Sequence, residues 1–252
     1  MVGMTSAPPD ASPANARIPR LVLASASPAR KKLLEDSGIV FEVRVSHVDE
    51  DAVLARATKT DGDQHTPAQA AQLLAQAKAR AVAHELEDEG VVDALVLGCD
   101  SVFEFEGTAY GKPYTPQKAR ERITAMSGKM GTLHTGHYLV DLRPAPEDAD
   151  PCEACMIPHE SELRSARVHF AQMSEQEIED YVATGEPLQV AGSFTLDGYG
   201  AAFIRGVYGE PHAVIGLSVN ALKDMLSRLG VPLSTLLRGR HLCPCSFHSM
   251  IF

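Results

Sequence analysis

The chain has no tryptophan, and its aromatic content is only 6% of 252 residues. A core without large rings rests mainly on Leu, Val, Ile and Ala. Hydrophobic residues at 44% supply enough of that material for one large α/β domain or two small ones sharing a cleft. No apolar run approaches the ~18–20 residues that a membrane span needs. The segment Met1 to Arg20 is rich in Pro, Ala and Ser and has no apolar h-region, so it reads as a disordered leader and not a secretory signal. A basic surplus is missing as well. Net charge is −10 and the pI about 5.4, which argues against a nucleic-acid duplex as partner, because duplex binding needs a basic face. A single anionic small molecule stays allowed, since a few cations focused in a cleft hold one whatever the rest of the surface carries. Five cysteines, at 99, 152, 155, 243 and 245, are an odd and uneven set that reads as reduced thiols in a cytoplasm.

The residues that are present alternate between strand and helix signals. Arg20 to Ala24 is a short apolar run that turns at Ser25-Ala26-Ser27-Pro28 into a helical stretch ending near Gly38. Ser27 suits the N-cap and Pro28 the first helical position. Phe41 to Val45 alternates like a half-buried strand and leads to a charged turn at Val48-Asp49-Glu50-Asp51. Thr66-Pro67 opens a second helix, and Val91 to Leu97 reads as a buried central strand ending at Gly98-Cys99-Asp100-Ser101. Thr115-Pro116 starts a helix to Ser127-Gly128, followed by a strand from His134 to Leu142. Residues 143–163 have no periodicity and read as a loop insertion. Ala166 to Ala171 is a strand, and Ser174 with Glu177 forms a capping box before the next helix. Phe203 to Val207 and His212 to Ile215 read as short strands, Ser218 to Gly230 as a helix, and 238–252 as an irregular tail. The class is α/β with a mixed sheet, a leader over 1–17 and one domain over 18–237.

Some of these residues carry chemistry. Two hydroxyls, Ser25 and Ser27, a helix N-terminus and the Arg30 guanidinium form an anion site by local physics. Alone, the segment is described better as a capped helix with a solvated basic first turn. Glu50 and Asp100 are acids after two strands, where open α/β sheets bind ligands, and acids on two loops can share a divalent ion. Asp100 directly follows a largely apolar run, where an unpartnered carboxylate is costly. Lys112, in Tyr110-Gly111-Lys112-Pro113, and Lys78, on an Ala- and Leu-rich helix, are surface lysines if taken singly. With Arg30 they make three positive charges for a triphosphate. Cys99 reads as a small buried side chain, since no adjacent His or basic pair activates it. Cys152-x-x-Cys155 with His159, and Cys243-x-Cys245 with His241 and His248, invite a zinc reading, but the tail spacing fits no standard zinc site.

These segments, in this order, resemble the Maf family. They are Leu23-Ala24-Ser25-Ala26-Ser27-Pro28-Ala29-Arg30, Val48-Asp49-Glu50, Ala77-Lys78-Ala79, Gly98-Cys99-Asp100-Ser101 and Gly111-Lys112-Pro113. Ser127-Gly128, His134-Thr135-Gly136, Tyr181 to Pro187, Ala191-Gly192-Ser193-Phe194 and Val214-Ile215-Gly216-Leu217 continue the pattern, which covers about residues 20 to 232. The resemblance implies an elongated mixed sheet flanked by helices, in two lobes with an active-site cleft, as in inosine triphosphatases. It also implies a cytoplasmic, often dimeric hydrolase that uses Mg²⁺ or Mn²⁺ to cleave a nucleoside triphosphate to the monophosphate and pyrophosphate. Such house-cleaning enzymes are linked to removal of non-standard nucleotides and to septum formation. The family's proton acceptor falls on Asp100, its metal-associated acid on Glu50 (with Asp100 as a second ligand), and its phosphate-handling lysines on Lys78 and Lys112. Its substrate-binding turn falls on Ser25, Ser27 and Arg30.

Three positions tied to base choice depart from the family pattern. Ala29 stands where many members have Arg and others a large aromatic, and Ser101 where Thr is common. Asp197 replaces a Gln of the pyrimidine-preferring branch. Ionised Asp only accepts hydrogen bonds, so Asp197 either selects a base edge rich in N–H donors, such as guanine, or caps the turn at Gly198. A nucleotide-binding regulator of cell division with little turnover is the competing reading. A phosphotransferase lacks support, because no Gly-x-x-x-x-Gly-Lys-[Ser/Thr] loop occurs.

Overall fold

The computed structural model describes residues 19–57, 65–145 and 157–238, and its centre is a seven-stranded mixed sheet. The strands are β1 (Arg20–Leu23), β2 (Glu42–Val43), β3 (Ala94–Phe105), β4 (Thr108–Tyr110), β5 (Met130–Asp141), β6 (His159–Phe170) and β7 (Ile204–Gly209). Their spatial order is β2-β1-β3-β5-β6-β7, with β4 added to β3. β1 runs parallel to β2 and β3, and the remaining pairs are antiparallel. The helices are α1 (Pro28–Asp36), α2 (Glu50–Ala57), α3 (Pro67–Asp88), α4 (Pro116–Met126), α5 (Glu175–Ala183), α6 (Pro211–Ile215) and α7 (Val219–Arg228). Among the described residues, no helix is long and apolar enough to cross a membrane.

Local sequence sets most helix starts. Ser27, Thr66, Thr115, Ser174 and Ser218 each accept a backbone N–H three residues on, and Pro occupies the first turn of α1, α3 and α4. Each such cap contributes about 1 kcal/mol. The expected Ser174 and Glu177 capping box is present, with both bonds formed.

Several expected boundaries are corrected. β3 does not stop at Asp100 but runs to Phe105, because β5 pairs with it from Leu95 through Glu104. Asp100 is therefore inside a strand, not at its end. Glu50 opens α2, whose first turn is held by the Asp49 carboxylate accepting the Ala52 N–H at 3.0 Å. The 143–163 loop is too long, since β6 begins at His159; residues 146–156 lie outside the described ones. His212 to Ile215 is helical and not a strand, with Pro211 in the first turn; so short an apolar run has no period to decide it. The 1–17 leader, Cys152, Cys155, and His241, Cys243, Cys245 and His248 of the tail also lie outside the described residues.

Two apolar clusters flank a polar waist on β3. Leu95, Leu97 and Cys99 pack with Leu21, Leu23, Leu34, Leu222 and Met225 under α1 and α7. Phe103 and Phe105 pack with Ile123, Phe170, Tyr181 and Phe194 under α4 and α5. Edge-on rings at 5.2 Å (Phe103 and Phe194) and 5.0 Å (Phe170 and Phe194) fill the second cluster without tryptophan. On the other face α3 lies directly on the sheet. A Cβ on Gly98 would stand 2.2 Å from the Ala75 carbonyl oxygen, and one on Gly136 would stand 2.5 Å from that of Ala71. Glycine at both positions is what lets the helix backbone approach β3 and β5.

His137, on β5, is fully buried. Its Nδ1–H donates to the Glu162 carbonyl at 3.2 Å, and its Nε2 accepts the Ser218 N–H at 2.8 Å. Burial lowers its pKa from 6.5 to about 4, so the ring is neutral in the fold. Between those two values the unfolded chain binds the extra proton. Stability from this group is thus complete above pH ~6.5 and falls as pH drops towards ~4, by about 3 kcal/mol in all. Urea unfolding across that window checks this, and His137→Gln should flatten the slope relative to the parent protein. An unchanged slope would remove His137 from the account.

Candidate active site

β1 covers one edge of β3 only as far as Leu97, with a last bond from the Ala24 N–H to the Leu97 carbonyl at 2.8 Å. β4 takes up the same edge at Phe103. Between them, residues 98–102 of β3 have no strand partner on that side among the described residues, while β5 pairs with them on the other. The notch lies at the carboxyl end of β1, where open α/β sheets seat ligands. It is β1 and not β3 that ends at the site.

The turn after β1 forms one wall. Ser25 is buried, and its Oγ accepts from the Ser27 N–H at 3.3 Å and from Arg30 Nη1 at 3.0 Å. Ser27 Oγ accepts the Arg30 backbone N–H at 3.4 Å. Arg30 is the surprise: its side chain turns inward and is buried. Nε donates to the Gly216 carbonyl at 2.7 Å and Nη2 to Ser101 Oγ at 3.2 Å. Of the five N–H groups of a guanidinium, the protein uses three, which fixes its plane. Lys31 and Lys32 face solvent as expected, pairing with Glu35 and Asp36 one turn on. Ala29 is half-buried on the same turn.

From the opposite face of β3, Asp100 meets α3. Lys78 Nζ lies 2.5 Å from Asp100 Oδ1 and 2.6 Å from Glu50 Oε1, so one ammonium joins both predicted acids. The side chains of Lys78 and Asp100 are 13% and 12% exposed, whereas Glu50 is 53% exposed at the rim. Burial raises the Asp100 pKa, and the charges of Lys78 and Arg30 restrain the rise. The Oδ2 atom has no protein partner among the described residues. Cys99, next in the strand, is fully buried, and desolvation pushes its thiol up to about 12, which leaves it inert as a nucleophile.

Two carboxylates share a cation here, and that donor set suits a divalent ion. Hard oxygen donors, one or two per site, bind Mg²⁺ when phosphates and water supply the remaining ligands. Among the described residues, no larger group of His, Cys, Asp or Glu gathers to hold a metal. His159, from the expected zinc set, stacks on Tyr138 at 5.1 Å.

The structure does not bring every predicted residue together. Lys112 is exposed in the connection from β4 to α4 and makes no hydrogen bond or ion pair among the described residues. Its turn is anchored by Arg122, which donates to the Gly111 carbonyl at 2.5 Å and lies 4.9 Å over the Tyr110 ring. Asp197 is exposed on a shallow, open surface depression lined also by Glu186, Gly198 and Tyr199. Asp197 does not cap the Gly198 turn. Glu186 does, accepting the N–H groups of Tyr199 at 2.8 Å and Gly200 at 2.9 Å, the Tyr181 hydroxyl at 3.0 Å, and the Thr195 hydroxyl. Partial burial pushes the Glu186 pKa up, but these donors outweigh it and hold the carboxyl below its usual range. Glu186 stands within the motif from Tyr181 to Pro187 without any sign of this role, because nothing local marks a carboxylate that gathers donors up to fourteen residues away.

A fixed guanidinium and a lysine beside a buried acid, in the gap of a mixed sheet, define an α/β protein with cations focused on one carboxylate. The chain belongs to the Maf family: residues 20–229 match the family described as Maf-like protein. A relative from Leifsonia xyli subsp. xyli is 44% identical over 84% of this chain and 94% of its own length. One from Streptomyces coelicolor is 45% identical over 86% and 94%, and one from Mycobacterium ulcerans 42% over 86% and 96%. All three are named nucleoside triphosphate pyrophosphatase.

Proposed function

We propose that this chain hydrolyses nucleoside triphosphates to the monophosphate and pyrophosphate, removing non-standard nucleotides, in the cytoplasm and as a homodimer. The observation that carries the reading is the buried Asp100, oriented through Oδ1 by Lys78 and with no partner on Oδ2 among the described residues. Water attacks the α-phosphorus and gives its proton to Asp100 as the new P–O bond forms. The bond from the α-phosphorus to the bridging oxygen breaks, and pyrophosphate leaves. Lys78, Arg30 and, from its exposed turn, Lys112 offset the charge that gathers on the leaving group. Glu50 and Asp100 would hold a Mg²⁺ or Mn²⁺, which when bound neutralises phosphate charge. Ser25 and Ser27 shape the turn that carries Arg30. A regulator that only binds nucleotide has no need of a base, and no observation favours that reading.

The test is incubation with Mg²⁺ or Mn²⁺ and a panel of ordinary and modified nucleoside triphosphates. Monophosphate and pyrophosphate are the expected products, and orthophosphate with a diphosphate would overturn the cleavage site. The same panel addresses the base. Asp197 has no hydrogen bond or ion pair among the described residues, so it is free to accept from an N–H-rich edge such as that of guanine. Asp197→Asn should then lower kcat/KM for the best purine substrate roughly tenfold, the scale of one charge-assisted hydrogen bond, and change the others little. A uniform change across the panel would separate Asp197 from base choice.

A further inference from the structure

We infer that Thr135 is a positioning residue for Arg30, acting through Ser101, and that Ser101 therefore donates nothing to the substrate. The inference rests on the reading of Arg30 as a phosphate contact. Thr135 is wholly buried on β5, directly opposite Ser101 in the ladder. Three contacts run in a line: Arg30 Nη2 to Ser101 Oγ at 3.2 Å, Ser101 Oγ to Thr135 Oγ1 at 2.9 Å, and Thr135 Oγ1 to the Ala213 carbonyl at 2.7 Å.

The ends of this line fix its protons. A guanidinium only donates and a carbonyl oxygen only accepts. Thr135 must therefore place its hydrogen on Ala213, which leaves its oxygen as the acceptor for Ser101. Ser101 in turn spends its only hydrogen on Thr135 and faces Arg30 with a lone pair. Its hydroxyl is an acceptor beside an anion site, where a direct contact with phosphate oxygen would be repulsive. Its use is to hold the guanidinium. The far end of the line is in α6, and the Nε anchor of Arg30, the Gly216 carbonyl, lies just after the same helix. One short segment thus backs Arg30 from two sides, and a preoriented guanidinium has less freedom to lose when charge develops on the phosphates.

The test measures kcat, KM and thermal midpoint for pyrophosphate release by Thr135→Val, Thr135→Ser and Ser101→Ala, each with Arg30 intact and in an Arg30→Ala background. Thr135→Val keeps the shape and removes the relay; Ser101→Ala removes the acceptor and leaves the bond from Thr135 to Ala213, so it serves if the valine variant fails to fold. With Arg30 intact, Thr135→Val and Ser101→Ala are expected to lower kcat roughly tenfold with KM changed less than about twofold, and Thr135→Ser to stay near the parent. In the Arg30→Ala background the same changes should have almost no further effect on kcat. Undiminished kcat in both variants, or equal losses with and without Arg30, would overturn the inference. Full turnover by Arg30→Ala alone would instead overturn the reading of Arg30 on which it rests.

Discussion

An Asp100→Asn variant is expected to lose about three orders of magnitude in kcat while still binding nucleotide. Asn has the shape of Asp, and its carbonyl oxygen still accepts from Lys78 through a longer, singly charged hydrogen bond, so the lysine keeps its partner. What disappears is a buried, oriented group able to take a proton from water. General-base catalysis is worth ~10²–10⁴, and a thousandfold loss is about 4 kcal/mol on the barrier. Binding should survive in large part, because Lys78 and Arg30 still attract the polyphosphate and Glu50 keeps a carboxylate for the metal. Single-turnover release of pyrophosphate, set against nucleotide binding by calorimetry with Mg²⁺ present, separates the two quantities. Full turnover by the Asn variant would show that Asp100 is not the base.

The second large effect comes from a residue with no side chain. Gly98→Ala should cost about 3 kcal/mol and lower the thermal midpoint by roughly 6–12 °C. The added Cβ would stand 2.2 Å from the Ala75 carbonyl oxygen and 2.7 Å from the Ala79 backbone nitrogen. These are backbone atoms in the middle of a 22-residue helix, so no side chain can swing aside; α3 itself has to lift from the sheet. Lys78 sits on α3 next to Ala79, and Asp100 lies two residues beyond Gly98 on the same face of β3. Turnover measured well below the new midpoint should therefore fall as well, as the ammonium withdraws from the carboxylate. A midpoint equal to that of the parent protein would mean that the helix is not so close.

Much of the local architecture was legible. Ser27, Thr66, Thr115, Ser174 and Ser218 carry their cap chemistry in their own residue type and in the residues just after them. A cap is settled within one turn of chain. The errors came where a partner strand decided. β3 looked finished at Gly98-Cys99-Asp100 because glycine and a carboxylate interrupt an apolar run, yet its pairing with β5 continues to Glu104. The tail of the supposed loop, from His159, is a strand for the same reason: β5 holds it along the ladder.

The candidate site divides in the same way. The sequence by itself determined the family, the mixed α/β class and the identity of Glu50, Lys78 and Asp100 as the residues to watch. Order and type of residues along the chain are enough for that. Only the tertiary structure decided that one ammonium joins both acids, that the notch along β3 opens at the end of β1, and that Arg30 is a buried, tethered guanidinium. It alone separated Glu186, which holds the 194–200 turn, from Asp197, which has no hydrogen bond or ion pair among the described residues. It alone placed the Ser101 hydroxyl between Arg30 and Thr135. Each of these depends on burial and on where hydrogen bonds end, and both are set by segments up to 186 residues apart in the chain.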